Sequence, residues 1–227
     1  MFNEHAHRNA FIEKNRTLLG LVIMDLQTSK NLGGVGALLL FIGPLLSFGH
    51  FLAGLIPLIG FILVLIALKS FADHYNDAGI FNNALYGFIT TIVGIVLALG
   101  AFVATALTVV SDLGITDWTN AAEWTEIISA ETAFDSLLTL LGGIIIAFVI
   151  LFAFAILTAL LYRKSLGILA SKSGVGLFGT AGLLLLIGAV LTIIVIGFLL
   201  IWISFLLIAI AFFQMKTTAV EPLPSPP

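Results

Sequence analysis

Apolar runs of membrane length, separated by short polar breaks, dominate the chain. Leu32 to Leu68 holds 37 residues without a charge. As one helix it would be about 55 Å long, nearly twice a hydrocarbon core of roughly 30 Å, so it must turn back. Ser47 to His50 (SFGH) is the best turn. It predicts spans over 32–48 and 51–69, the first kinked at Pro44. A polar island, Ala67 to Gly87, follows, and a third span covers 83–110. The polar stretch Ser111 to Asp135 leads to a fourth span over 136–161, closed by Tyr162-Arg163-Lys164. Val175 to Phe213 is again too long for one crossing, and a turn near Thr192 divides it into 175–191 and 194–213. Strand-period alternation is missing, so the fold class is all-α: a polytopic six-span transmembrane helical bundle.

The ends differ from this pattern. Residues 1–28 form a polar and interfacial segment in which Thr17 to Met24 (TLLGLVIM) is too short to cross. Basic residues precede that patch as in a signal peptide, but Asp25 follows it and no small-residue cleavage site appears. A short interfacial helix with Phe11, Ile12, Leu18, Leu19 and Val22 on its apolar side is the better reading. MDLQTSKNLGG, from Met24, reads like a natural beginning, so residues 1–23 are a candidate upstream extension. The tail, 217–227, is proline-rich and expected to be disordered.

Composition agrees: 60% of residues are hydrophobic and 9% charged, against the roughly 25% charged typical of soluble domains. With no cysteine, disulfides, thiolate metal sites and thiol catalysis are out. The net charge of −3 argues for no nucleic-acid partner. Its distribution matters more. Threaded through six spans with both termini on one side, the chain places all nine basic residues on that side and six acids alone on the other. The basic side is then cytoplasmic, and loop 111–135 lies outside the cell membrane. In that loop Thr119-Asn120 caps a short amphipathic extracytoplasmic helix, with Trp118 and Trp124 as interfacial anchors. Leu38–Gly43 (LLLFIG) and Leu183–Gly188 (LLLLIG) also match, a weak sign of a parallel repeat in a 3+3 bundle.

Chemistry gathers in the polar island. Asp73, His74 and Asp77 have the i, i+1, i+4 spacing that sets both carboxylates on one helical face beside the imidazole, the arrangement of an acid–base pair or a divalent-metal site. A helix hairpin explains the same residues more simply. Lys69 and Asp73 pair at i, i+4, Gly79 stops one helix, Asn82 caps the next, and Phe81 and Tyr86 form a hydrophobic staple. No metal or cofactor is expected. The His5/His7 pair stands in a polar terminus without a further ligand nearby.

The spans carry no ionisable residue at depth, which argues against ion pumps, proton-coupled carriers and voltage sensors. Thr90, Thr91, Thr105, Thr108, Thr139 and Thr158 read as helix glue. Gly94, Ala98, Ala101, Gly142, Gly143, Gly176, Gly179 and Gly182 permit close helix contact, inside the bundle or between copies.

Ser29-Lys30 with Leu32-Gly33-Gly34-Val35-Gly36, Ile66-Ala67-Leu68-Lys69 with Ala72-Asp73 and Tyr75, and Ile80-Phe81-Asn82-Asn83-Ala84-Leu85-Tyr86 are distinctive strings. So are Gly176-Leu177-Phe178, Thr180-Ala181-Gly182-Leu183 and Ala211-Phe212-Phe213. On these residues the chain resembles the archaeal and bacterial membrane-protein family catalogued as domain of unknown function 996. The resemblance covers most of Met24 to Lys216, and NNALY is its most specific piece; the first 23 residues depart from it. It implies a membrane fold and no activity. The expectation is therefore a non-enzymatic protein of the lipid bilayer that acts by forming a homo-oligomer or binding a membrane-protein partner. The alternative is a channel or facilitator for a neutral or apolar solute. A membrane enzyme using Asp73, His74 and Asp77 is the remote third.

Overall fold

The computed structural model describes residues 26–46, 55–113 and 130–216, with the side chains of 130–133 left aside. The described residues form six α-helices: α1 Leu26–Leu46, α2 Leu55–His74, α3 Ala78–Leu113, α4 Ala130–Ser173, α5 Leu177–Leu191 and α6 Ile196–Gln214. All six are long and apolar enough to cross a membrane, α5 when extended through the 3-10 turn Thr192–Ile194. The protein is a multi-pass helical bundle. The expected SFGH turn, the helix near Trp118 and Trp124, the interfacial segment with His5 and His7, and the proline-rich tail lie outside the described residues.

Four helices, α1 to α4, run further than their apolar stretches predict, and two of them show why. α1 starts at Leu26 because its polar first turns find partners: Ser29 Oγ donates to Ser70 Oγ of α2 at 2.6 Å, and Lys30 Nζ donates to the Met215 carbonyl at 2.8 Å. The latter sets a cation at the C-terminal end of α6, where the helix dipole favours one. α4 passes unbroken through Tyr162-Arg163-Lys164 to Ser173, since Tyr162, Ser165, Leu166 and Leu169 are buried. Ser165 Oγ reaches the Ile80 carbonyl of α3 at 2.5 Å. The turn expected near Thr192 is the 3-10 segment Thr192–Ile194, reversed at Val195, a β-branched residue held at φ 64°.

Each helix packs on its neighbours in chain order, and α6 returns to α1, so the six form a closed ring. Glycines set the closest crossings. On α1 and α2, a Cβ at Gly36 or Gly60 would lie 2.7 Å from the other residue's carbonyl oxygen. Gly33 and Gly34 receive the rings of Phe212 and Phe213, which seats α6 on α1. The α3–α4 seam runs antiparallel, pairing Gly87 with Tyr162, Thr91 with Thr158, Gly94 with Phe154, and Thr105 with Gly143. The matched LLLFIG and LLLLIG strings lie on α1 and α5, each the first helix of a hairpin closed by a glycine contact, Gly43 on Pro57 and Gly188 on Gly197.

The bundle's two ends differ. At the end where α1 begins and α6 finishes, Phe71, Phe178 and Phe212 are fully buried, with Phe178 edge-on to Phe212 at 4.9 Å. Every described Lys and Arg lies in the half of a helix nearer this end or, for Lys216, just beyond the end of α6. At the other end α3 and α4, 36 and 44 residues long, outrun their neighbours of 15 to 21 residues.

Candidate functional site

The polar island folds as a helix corner. Asn76 N–H donates to the Asp73 carbonyl at 3.3 Å and Asp77 N–H to the Ala72 carbonyl at 2.9 Å, with Asn76 left-handed at φ 49°. This is a Schellman closure of α2, and its left-handed position is Asn76, not Gly79. Asp77 then begins α3, its Oδ1 accepting from the Gly79 N–H at 3.0 Å. The stop and cap expected at Gly79 and Asn82 therefore move to Asn76 and Asp77, because α2 satisfies its last carbonyls earlier than the glycine. Gly79, Phe81, Asn82 and Tyr86 all lie inside α3. With Asp77 as cap, Phe81 is the fourth helical residue and polar Asn76 precedes the cap, so the expected Phe81–Tyr86 staple does not form; Tyr86 is exposed.

The three residues proposed for chemistry have separate partners. Asp73 pairs with Lys69 at 2.5 Å, on the surface where such a bridge contributes little. His74 meets the Tyr75 ring edge-on at 4.9 Å. Asp77 caps α3 and faces Lys172 of α4 at 3.8 Å. Among the described residues no three His, Asp or Glu side chains are grouped to hold a metal.

The ring encloses something the linear pattern does not show. A cavity of about 220 Å³ lies between the helices, and all six contribute to its wall, for example Leu40, Val64, Ile95, Ala155, Ala189 and Phe205. It exists because a six-membered ring leaves a gap at its centre and small residues face that gap: Gly94, Ala155, Ala159 and Ala189. Phe61 partly fills it, its ring 6.2 Å from those of Tyr162 and Phe205. Ile95 and Leu151 are both exposed and lining, so the cavity reaches the outer face of the bundle beside α3 and α4.

The lining is hydrocarbon except at one place. Thr91 Oγ1 donates to the Gly87 carbonyl at 3.0 Å, Thr158 Oγ1 to the same carbonyl at 3.4 Å, and the two hydroxyls are 3.2 Å apart. The Tyr162 ring lies against Gly87 itself, where a Cβ would come within 3.0 Å of ring carbon Cε2. Its hydroxyl is buried with no hydrogen-bond partner. An unmet buried hydroxyl costs roughly 1–3 kcal/mol. Sequence reasoning took Tyr162 as the closing residue of a span. The available signal was spacing: Phe154, Thr158 and Tyr162 recur at i, i+4, i+8 on one face of α4.

The profile of a family described as proteins of unknown function, DUF996, matches residues 56–206. The chain belongs to the DUF996 family. The archaeon Methanocaldococcus jannaschii has a relative, Uncharacterized protein MJ1644, that is 24% identical over 195 residues, covering 86% of this chain and 96% of the relative. No solved structure matches the chain. The DUF996 match runs from α2 into α6 and so takes in the cavity wall except for Leu40 of α1 and Ile208 at the end of α6. Several of the strings behind the family resemblance form the buried end of the bundle: Ser29, Ile80, Ala84, Phe178, Ala181 and Phe212 have no exposed surface. In this DUF996 chain helix packing accounts for those six residues, whereas Val35, Ile66, Asn82 and Tyr86 of the same strings are exposed.

Proposed function

We propose that the protein is a non-enzymatic binder of a small neutral lipophile, which it holds in the cavity at the centre of its ring. One observation carries this reading: all six helices line a single cavity, and no charged side chain is among the lining. An apolar solute dissolves in the bilayer without help, so a conducting path adds little to its passage. A cavity that reaches the outer face of the bundle is better suited to capture from the lipid and to retention or presentation. Of the small residues offered by the sequence for contact inside the bundle or between copies, Gly94, Gly143 and Gly182 abut other helices of the same bundle, whereas an added Cβ at Gly142 or Gly176 would meet nothing within 4 Å.

The basic end of the bundle faces the cytoplasm on this reading, by the rule that Lys and Arg are retained inside. A single cysteine at Trp118, in a chain that has none of its own, should react with an impermeant maleimide in intact cells. Labelling that requires opened cells would reverse the orientation.

The binding claim is tested by photolabelling reconstituted protein with an aliphatic diazirine hydrocarbon and mapping the adducts. Labels are expected at Ala155, Ala189 and Phe205, and filling the cavity by Ala155→Phe or Ala189→Leu should remove them. Adducts confined to lipid-facing residues such as Val96 and Ile145, each 61% exposed, would contradict it.

A further inference from the structure

We infer a second binding site, independent of what the cavity holds: a groove at the basic end of the α3–α4 seam that takes the phosphate headgroup of an anionic phospholipid. The groove has a volume of about 530 Å³ and lies between Asn83 of α3 and Arg163, Lys164, Gly167 and Ser171 of α4. The packing of α4 creates it. Tyr162, Ser165, Leu166 and Leu169 are buried, which turns Arg163, Lys164, Gly167 and Ser171 outward, and all four are exposed. Gly167 stands one turn beyond both cations and has no side chain, so the wall between them and Ser171 is recessed. An added Cβ there would meet nothing within 4 Å. The main chain beneath is fixed, because a Cβ at Gly182 of α5 would lie 3.1 Å from the Arg163 Cα and Ser165 Oγ donates to the Ile80 carbonyl.

Charge sets the ligand. Among the described bases of the helices, Lys30 is bonded to the Met215 carbonyl, Lys69 to Asp73, and Lys172 faces Asp77. Arg163 and Lys164 have no hydrogen-bond or ion-pair partner among the described residues, and no carboxylate lines the groove. Two uncompensated cations side by side suit a phosphate, with the guanidinium clamping two of its oxygens and the ammonium acting as a point charge. Asn83 gives one amide proton to the Gly79 carbonyl at 2.6 Å and keeps a second for the ligand. A choline or ethanolamine group would find no anion here, so a lipid of net negative charge is favoured over a zwitterionic one. Position favours a lipid over a free phosphate. The apolar run of α3 begins just after Asn83 and that of α4 ends just before Arg163, so both helices pass from hydrocarbon to polar surroundings at the groove, the depth at which headgroups lie. Leu160, one turn back into the apolar run, is exposed and also lines the groove, where an acyl chain can lie.

The test is native mass spectrometry of the full chain in detergent, titrated with dioleoyl phosphatidylglycerol and with dioleoyl phosphatidylcholine. Wild type should bind phosphatidylglycerol about five- to thirtyfold more tightly, the range for one to two basic contacts with an anionic lipid. Arg163→Gln/Lys164→Gln should lose that preference. Lys69→Gln/Lys172→Gln, which removes the same charge from the same end of the bundle, should keep it. Gly167→Leu fills the groove with every charge in place, and should also bind phosphatidylglycerol more weakly at an unchanged melting temperature. Glycerol phosphate at the same concentration should not displace the lipid. Equal binding of the two lipids by wild type, equal losses in the two double variants, or wild-type binding by Gly167→Leu overturns the site. Displacement by glycerol phosphate as strong as by phosphatidylglycerol overturns the assignment to a lipid and makes a soluble phosphate the ligand.

Discussion

Gly60→Ala is expected to lower the melting temperature of the detergent-solubilised protein by roughly 3–10 °C, for a loss of about 1–3 kcal/mol. The added methyl would lie 2.7 Å from the Gly36 carbonyl oxygen and 3.1 Å from the Leu40 nitrogen. Both are backbone atoms, so no side chain can turn aside and α1 and α2 must separate. The contact is reciprocal, since a Cβ at Gly36 meets the Gly60 carbonyl at the same 2.7 Å. Gly36→Ala should therefore cost a similar amount. The double variant should cost less than the sum, because one separation relieves both clashes. Gly60→Leu should not yield folded protein. Gly100→Ala is the control: nothing lies within 4 Å of its added methyl, and stability should stay within about 0.5 kcal/mol of wild type. A Gly60→Ala protein that melts with wild type would show that α1 and α2 do not cross at this pair.

Trp202→Ala should cost about 3–5 kcal/mol, the range for losing a large packed aromatic. Trp202, on α6, lies flat on Phe41 of α1, ring centres 4.6 Å apart and planes 9° from parallel. Its Nε1 donates to the Phe41 carbonyl at 2.6 Å, in the helical turn before Pro44. This clasp closes the ring between the last helix and the first. Trp202→Phe keeps the stacking and loses the hydrogen bond, so it should cost only about 0.5–1.5 kcal/mol. Because the cavity depends on closure, Trp202→Ala should also weaken labelling at Phe205. Unchanged stability in Trp202→Ala would mean that α6 and α1 are held by other contacts.

The six spans were legible in the sequence because run length against bilayer thickness is a one-dimensional property. The turn near Thr192 could be read the same way, since a single crossing cannot absorb the 39 uncharged residues from Val175 to Phe213. The corner at 74–79 was harder. A glycine was the expected left-handed residue, yet Asn76 takes that conformation, and which of the two is used depends on where the last carbonyls of α2 find donors. The extension of α4 to Ser173 was hidden because Ser165 and Arg163 look like surface residues until Ser165 is seen against the Ile80 carbonyl. The cavity was not legible at all. Ala155 and Ala189 differ in no visible way from other small residues of the spans, and only the order of helices around the ring sets them at its centre. Trp202 was hidden for a similar reason, as its partner stands 161 positions away.

Xenon diffraction tests the cavity most directly. Crystals of the full chain under xenon pressure, recorded for anomalous scattering, should show an atom among Val64, Ala155, Ala189 and Phe205, since an apolar void of this size binds xenon. The peak should be lost in Ala155→Phe or Ala189→Leu. Xenon found only on the outer face, with Phe61 and Phe205 closed against Ala155 and Ala189, would contradict the account.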